Sequence, residues 1–125
     1  MNCIIDTRVL LWWLSDDPLL PGNLRKIIEN TDNICFISAV SIWEISIKSS
    51  IVKLEIPGKY LDILRDQGFH DLPIYLEHAD NVAKLPFHHR DPFDRLIIAQ
   101  AMVEELTILT TDEVIPLYKV KTLTK

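Results

Sequence analysis

The sequence predicts a three-layer α/β/α fold, in which helices cover both faces of a central, mostly parallel β-sheet. The strand candidates are short runs in which nearly every residue is apolar, which is the pattern of strands buried on both faces. These runs alternate with segments of helical periodicity, and this alternation is typical of a parallel sheet. The chain has 125 residues with no internal repeat or linker, so we predict a single domain over residues 1–125.

The first half of the chain contains two predicted strands. The first, Asn2 to Asp6, leads directly into a helix over Thr7 to Leu14. The second, Asn33 to Ile37, follows a helix over Leu24 to Asn30 and precedes a helix from Ala39 to about Ser50. A helix between two strands allows them to run parallel, so both are expected in the same sheet.

The second half continues the alternation with weaker strands. Helices are predicted at Lys59 to about Asp66, Leu76 to Lys84 and Pro92 to Glu105, with a helical turn from Glu113 to about Leu117. Strands are predicted at Asp71 to Ile74, Thr107 to Thr110 and Val120 to Leu123. The strongest of these predictions is the helix that starts at Pro92, because Asp91 is a good N-cap and proline favours the first helical position.

Composition and charge limit the function only loosely. The longest apolar run, Val9 to Leu14, is far shorter than the roughly 20 residues that span a bilayer. The N-terminus lacks the features of a signal peptide, and Cys3 and Cys35 lie in apolar runs without ligand partners. Both thiols are therefore expected to be free and buried, as in a cytoplasmic protein, with a disulfide or a zinc site as the less favoured alternative. The net charge of −5 counts against a nucleic-acid partner unless the negative charge is concentrated in one place.

Two carboxylates follow predicted strands. Asp6 ends the first strand, and Asp112 comes just after the strand Thr107 to Thr110. In open parallel sheets, ligands bind where the carboxyl ends of the strands meet, so both side chains are candidates for a site. The alternative for each residue is an N-cap of the helical segment that follows it.

Two more carboxylates lie on helices beside apolar residues. Asp94 shares a helix face with Ile97, Ile98 and Ala101, whereas Asp91 is best interpreted as the cap of the same helix. Glu44 is expected to share an apolar stripe with Val40, Ile47 and Ile51, where a carboxylate needs a partner or a metal ion. The alternative for Glu44 is an exposed ion pair with Lys48, four positions further along the helix.

Taken together, these four carboxylates can converge on one end of the sheet. Like charges gathered there would repel each other without a counterion. A cluster of oxygen ligands without cysteine or histidine suits a hard cation, Mg²⁺ or Mn²⁺. Such ions hold phosphate oxygens and activate water, so the chemistry indicated is phosphodiester hydrolysis.

Other functions with this architecture lack their required residues. Gly22, Gly58 and Gly68 do not form the glycine-rich loop of a nucleotide-binding site. A haloacid-type phosphatase would need a second aspartate where Arg8 stands, and a phospho-receiver domain would need an acidic pair after the first strand. A zinc site at His88 and His89 is not expected, because adjacent loop side chains point apart, and both histidines are predicted to be solvated.

Four segments extend nearly from end to end of the chain: "IIDTRVLLWWL", "ISAVSIWEISIK", "HRDPFDRLIIAQA" and "LTILTTDEVIPLY". In this order and spacing they resemble the PIN-domain ribonucleases, and most closely the VapC-like toxins of type II toxin–antitoxin systems. The resemblance implies a flavodoxin-like fold and a Mg²⁺- or Mn²⁺-dependent endoribonuclease. By position, Asp6 and Asp94 would be the principal metal ligands, Glu44 would complete the site, and Asp112 would bind a second ion or orient the attacking water.

The resemblance also implies partners and supporting residues. Thr7 occupies a hydroxyl position beside the first acid, and Arg8, where many relatives carry another residue, would contact RNA phosphate or pair with an acid. Arg95 has the same two interpretations, of which a structural ion pair is preferred. The RNA is expected to meet dispersed basic residues, among them Lys48, Lys53 and Lys84.

The family's partners are a VapB-like antitoxin and a second copy of the chain, in a homodimer or a larger toxin–antitoxin oligomer. Because Trp12 and Trp13 lie in six consecutive apolar residues, which encircle a helix, we predict that this helix contributes to one of these interfaces. The alternative is a helix enclosed between the sheet and neighbouring helices. The alternative to the nuclease is a non-catalytic binding module that keeps the PIN fold and contacts RNA or protein without turnover.

Overall fold

A computed structural model describes residues 1–51 and 56–124 of the chain. Within these residues, five strands form one sheet in the order β3-β2-β1-β4-β5, and every strand pair is parallel. The strands are β1 (Asn2–Ile5), β2 (Ile34–Ser38), β3 (His70–Leu72), β4 (Thr107–Leu109) and β5 (Thr122–Leu123). The predicted α/β/α class is confirmed, and the described part of the sheet is wholly rather than mostly parallel.

Six α-helices and one short 3-10 helix, Ile115–Leu117, lie in the described part of the chain. The α-helices are α1 (Thr7–Leu14), α2 (Gly22–Glu29), α3 (Ala39–Ile51), α4 (Tyr60–Asp66), α5 (Leu76–Val82) and α6 (Pro92–Glu104). Each predicted element is present, with bounds that differ by a few residues. Lys53, one of the predicted RNA-contacting residues, lies outside the described residues.

The core occupies both faces of the sheet because successive strand residues point to opposite sides. In β1, Cys3 and Ile5 pack on one face with residues of α1 and α2, including Leu10 and Leu24. Ile4, between them in sequence, packs on the other face with Ile97 and Ile98 of α6. Two helical layers therefore enclose the sheet. Cys3 and Cys35, partners in the β1–β2 register, are free and buried as predicted.

The strand order reverses at β1, which places a crevice beside its carboxyl end. The chain moves from β1 outward to β2 and β3, then returns to β4 on the opposite side of β1. Ile5 at the end of β1 pairs with Leu109 at the end of β4, so the residues that follow both strands are neighbours. A switch point of this kind is where parallel α/β folds bind their ligands. No helix among the described residues combines the length and apolar character needed to cross a bilayer.

Candidate active site

The first wall of the site is built where β1 and β4 end. The Asp6 amide donates to the Leu109 carbonyl oxygen at 3.1 Å. This bond continues the β1–β4 pairing by one residue and fixes the backbone position of Asp6. Asp6 Oδ1 then accepts the amide of Val9 at 2.9 Å and caps α1, while the hydroxyl of Thr110 donates to Oδ2. Asp6 is therefore both the predicted cap and a member of the site.

The second wall is the N-terminus of α6. Asp91 caps this helix, as predicted, by accepting the amide of Phe93 at 2.8 Å and that of Asp94 at 3.4 Å. Asp94 stands one residue beyond Phe93, on the side of the helix where Ile97 and Ile98 are fully buried. Its position on the apolar side is confirmed, and its carboxylate is held at the edge of the core.

Glu44 of α3 forms the third wall and is 5% exposed. Its Oε2 accepts a hydrogen bond from Lys48 Nζ at 2.7 Å, so the ion pair proposed as an alternative exists. Its Oε1 is buried and has no hydrogen-bond partner among the described residues. The predicted apolar stripe is wrong in part: Ile47 and Ile51 are exposed, and Glu44 is buried because it faces α1 and α6 across the pocket.

All four predicted acids line one pocket with a volume of about 150 Å³. The residues that surround it are Asp6, Thr7, Arg8, Leu11, Glu44, Lys48, Asp91, Asp94, Thr111 and Asp112. They come from the ends of β1 and β4 and from α1, α3 and α6, elements that are far apart in sequence. The convergence expected from the sequence is thus present in the fold.

Burial and mutual repulsion shift the carboxylic acids of the pocket. Burial, with added repulsion from Asp91, Asp6 and Asp112, raises the pKa of Asp94 to about 7, against an opposing effect of His89. Burial also raises the pKa of Asp6, although the hydrogen bonds from Thr110 and Val9 oppose the shift. Burial acts in the same sense on Asp112, but hydrogen bonds from His89, Val114 and Ile115 hold its pKa below the ordinary value.

The pocket fits a hard divalent cation. Its donor set is dominated by carboxylate oxygens, which Mg²⁺ and Mn²⁺ prefer. Glu44 Oε1 is a buried acceptor without a partner, and such an atom is costly unless a donor or a cation reaches it. The pKa of Asp94 is raised mainly by burial and further by the neighbouring carboxylates, and a bound cation would offset both effects.

The prediction that both histidines are solvated is wrong for His89. His88 is exposed and stacks edge-on against Tyr118, but the neighbouring His89 points the other way, into the acidic cluster. Its Nε2 lies 3.0 Å from an oxygen of Asp94 and 3.0 Å from an oxygen of Asp112. The rule that adjacent side chains point apart was correct, but it also meant that one of the two had to face the site. The position of His89, two residues before the Asp91 cap, was the available signal.

The supporting residues divide into three environments. Thr7 is buried and donates through Oγ1 to Ser41 Oγ at 2.9 Å, which ties α1 to α3. Arg8 is exposed at the pocket, close enough to Asp6 to lower its pKa. Arg95 is 6% exposed and does not line the pocket. Its guanidinium donates to backbone carbonyls, at 2.9 Å for Pro86 and 3.1 Å for Val82, in place of the predicted carboxylate partner.

The aromatic residues of α1 are partly buried. Trp12 and Trp13 pack against the core cluster, and Trp13 Nε1 donates to Gln67 Oε1 at 2.9 Å. Trp43 of α3 is more accessible, with 55% of its surface exposed. It lines an apolar groove of about 450 Å³ between α3 and α4, with Ile42 and Leu61 among its other walls.

Comparisons with known proteins identify the family and the fold. The family model of the PIN domain matches residues 3–121, and a search of curated proteins finds no match. The chain is similar in structure to a chain of the VapBC2 complex from Rickettsia felis, which is bound to a DNA fragment from its promoter. The TM-score is 0.77 and the sequence identity 18%, and the match covers 100% of this chain and 99% of the other. It is also similar to one in DNA-bound VapBC from Salmonella typhimurium, with a TM-score of 0.73, 14% identity, and coverage of 99% and 98%.

A third similar structure is the PIN domain endonuclease Utp24, with a TM-score of 0.58, 18% identity, and coverage of 99% of this chain and 84% of the other. At these identities the structures establish the common fold, and the family model adds the sequence match over nearly the whole chain. The resemblance seen in the four sequence segments is therefore confirmed, and the chain belongs to the PIN domain family.

Proposed function

We propose that this protein is a Mg²⁺- or Mn²⁺-dependent endoribonuclease, the toxin of a type II toxin–antitoxin system. The observation that carries the proposal is the convergence of Asp6, Glu44, Asp94 and Asp112 in one small pocket, with Glu44 Oε1 left without a partner. A protein that only bound RNA would gain nothing from carboxylates facing its polyanionic ligand. The similarity to VapBC chains and to the endonuclease Utp24 supports the same function.

Each acid has a specific part in the proposed mechanism. Asp6 and Asp94 would hold the cation, since both line the pocket, one after β1 and the other at the start of α6, while Glu44 would complete the site with its free oxygen. Asp112 would orient the attacking water or hold a second ion. A bound divalent cation would neutralise phosphate oxygens and increase the acidity of water. The rigidity of the acids follows from their second role, since Asp6 and Asp112 also accept backbone amides at helix ends.

Basic residues at the pocket would bring the RNA backbone to the acids. Arg8 and Lys48 are the cationic residues that line the described pocket, and both are exposed. Arg8 forms no salt bridge within 4.0 Å among the described residues, so its guanidinium is available to a phosphate. Lys48 is already paired with Glu44 but has 53% of its side chain exposed. We assign Arg8 to contact with a phosphate group, and Lys48 to contact with both Glu44 and a phosphate group.

An antitoxin would provide the control that a toxin requires. The apolar groove between α3 and α4 is the surface that we assign to a segment of a VapB-like partner, because Trp43 is an exposed aromatic anchor within it. The helix of Trp12 and Trp13 remains a second predicted contact, although both side chains are partly covered. We further propose a homodimer, a larger assembly with the antitoxin, and action in the cytoplasm.

RNA cleavage tests the catalytic proposal. Structured RNAs would be incubated with purified protein in Mg²⁺, in Mn²⁺ and with chelator, beside Asp94→Asn and the control Asp80→Asn on the exposed side of α5. We expect cleavage by the wild type and by the control in either metal, with losses of at least 100-fold for Asp94→Asn and in chelator.

The failures of this test have different meanings. Cleavage that survives both chelator and Asp94→Asn would refute the cation mechanism. If no RNA is cut under any condition while RNA still binds, the protein is the non-catalytic module that shares the PIN fold. Mass measurement with and without a co-expressed antitoxin tests the assembly, and unchanged affinity after both Trp12→Ala and Trp13→Ala would exclude their helix as a contact.

A further inference from the structure

We infer that His89 is a positioning residue, which holds Asp112 by a hydrogen bond from its Nε2–H group, offsets the negative charge of Asp94, and does not ligate the metal ion. The inference rests on the proposed function in that it assumes a cation at the four acids. It assigns a role to a residue outside that acid set. It also makes a choice between two roles, since His89, Asp94 and Asp112 lie close enough together to be mistaken for a three-ligand metal site.

The contacts of the imidazole define its role. Nε2 is 3.0 Å from Asp94 Oδ2 and 3.0 Å from Asp112 Oδ2, and the side chain is 16% exposed. The contact with Asp112 is a hydrogen bond, whereas the contact with Asp94 is a close electrostatic contact. An N–H group beside two carboxylates reduces the repulsion between them.

The other ring nitrogen determines which atom carries the proton. The backbone amide of Asp91 donates to His89 Nδ1 at 3.1 Å, so Nδ1 must present a lone pair. In a neutral imidazole the proton is then on Nε2, which faces the two carboxylates as a donor. Ligation of a metal through Nε2 would require the proton on Nδ1, where it would meet the Asp91 N–H group. The hydrogen bonds therefore assign the tautomer that donates to carboxylates, and this tautomer cannot ligate through Nε2.

The backbone around the ring is held by a buried support. The amide of His89 donates to Tyr118 Oη at 2.8 Å, and Tyr118 is 4% exposed. The same oxygen accepts Arg95 Nη1 at 3.3 Å, and Arg95 is in turn fixed by the carbonyls described above. These contacts fix the backbone from which the imidazole extends, while the ring itself is oriented by its contacts with Asp112 and the Asp91 amide. Arg95 does not line the pocket, but it supports the site from behind through its contact with Tyr118.

Cation affinity tests the assignment directly, without RNA. Mn²⁺ binding would be measured by calorimetric titration for the wild type, His89→Ala, His89→Gln and the control His88→Gln, which changes the exposed neighbour. The side-chain amide of glutamine can donate near the position of Nε2 but is a poor metal ligand. We expect His89→Ala to weaken Mn²⁺ binding about 10-fold, as removal of groups that orient metal ligands does, and His89→Gln to restore most of the affinity. His88→Gln should bind as the wild type does.

Pulsed electron paramagnetic resonance on Mn²⁺-loaded wild type gives a readout that needs no variant. We expect no directly coordinated ¹⁴N, because the ligands are oxygens. A histidine nitrogen coupling that disappears in His89→Gln would overturn the inference, as would equal Mn²⁺ affinity of His89→Ala and the wild type, or the failure of glutamine to improve on alanine. Circular dichroism establishes that each variant is folded. If Mn²⁺ binding behaves as expected but no RNA is cut, the proposed function fails while this inference stands.

Discussion

Replacing Asp94 by asparagine is expected to stabilise the protein when no metal is present. The position of Asp94 at the edge of the core destabilises its ionised form, since burial and three neighbouring carboxylates raise its pKa from 3.8 to about 7. The ionised form is therefore disfavoured in the folded state relative to the unfolded chain, where nothing raises the pKa. Asparagine keeps the shape and the hydrogen-bond acceptor but removes the charge.

The expected gain follows from the size of this shift. A pKa raised from 3.8 to about 7 corresponds to about 4 kcal/mol of destabilisation when the group is fully ionised. The side chain is 19% exposed, and solvent screens part of the repulsion, so we expect a measured gain of about 2 kcal/mol at pH 8. Because the folded pKa lies above the unfolded one, the wild type recovers stability as the pH falls from about 7 towards about 4. The advantage of Asp94→Asn should therefore be clearly smaller at pH 5 than at pH 8.

Urea unfolding in chelator, followed by circular dichroism at pH 8 and pH 5, measures both effects. Asp80→Asn serves as the control, because it removes one exposed carboxylate from α5 and leaves the pocket intact. Addition of Mg²⁺ at pH 8 should then stabilise the wild type and the control but not Asp94→Asn.

Two results would refute this reasoning. If Asp94→Asn is no more stable than the wild type at pH 8, the carboxylate is not strained by its surroundings. If its advantage is the same at pH 8 and pH 5, the gain comes from something other than the ionisation of Asp94. Either outcome would also remove the electrostatic reason to expect a cation in the pocket.

Three further substitutions probe the supports of the site. Glu44→Gln should lower Mn²⁺ affinity at least about 10-fold in calorimetric titration, since it replaces a buried carboxylate oxygen that has no other partner among the described residues. Unchanged affinity would place the cation elsewhere. Thr110→Val should reduce the free energy of unfolding in urea by about 1–3 kcal/mol, because an oxygen of buried Asp6 and the amide of Asp112 lose their partner; a change below about 0.5 kcal/mol would contradict this. Arg95→Met should cost at least about 3 kcal/mol in the same assay, because several buried carbonyls lose their donor, and near-normal stability would show that water replaces it.

The fold and the four acids could be predicted because their signals are local. Asp6 and Asp112 follow apolar strands, and a parallel sheet brings the ends of its strands to one edge. Asp94 could be placed by the 3.6-residue period, since the residues three and four positions further on are fully buried. In each case the sequence neighbours of a residue determine its environment.

The same reasoning failed where contacts between distant elements determine the environment. Nothing near Arg95 in sequence indicates that its guanidinium will donate to backbone carbonyls. These carbonyls belong to Val82, at the end of α5, and to Pro86, in the loop that follows. Ile47 and Ile51 fit the period of a buried stripe but are exposed, since no element of the described chain packs over that end of α3. Periodicity indicates which residues share a face, and tertiary packing decides whether the face is covered.

A structural role for a carboxylate does not exclude a functional role. A carboxylate has two oxygens, and in Asp6 one of them caps α1 while the other accepts the Thr110 hydroxyl at the pocket. Asp112 accepts the amides of Val114 and Ile115 with Oδ1 and meets His89 with Oδ2. Glu44 pairs with Lys48 through Oε2, while Oε1 has no partner among the described residues. Hydrogen bonds from backbone amides hold Asp6 and Asp112 in place even though the carboxylates repel each other. A capping role is thus a means of building an acidic site, and the presence of a cap is no argument against a ligand.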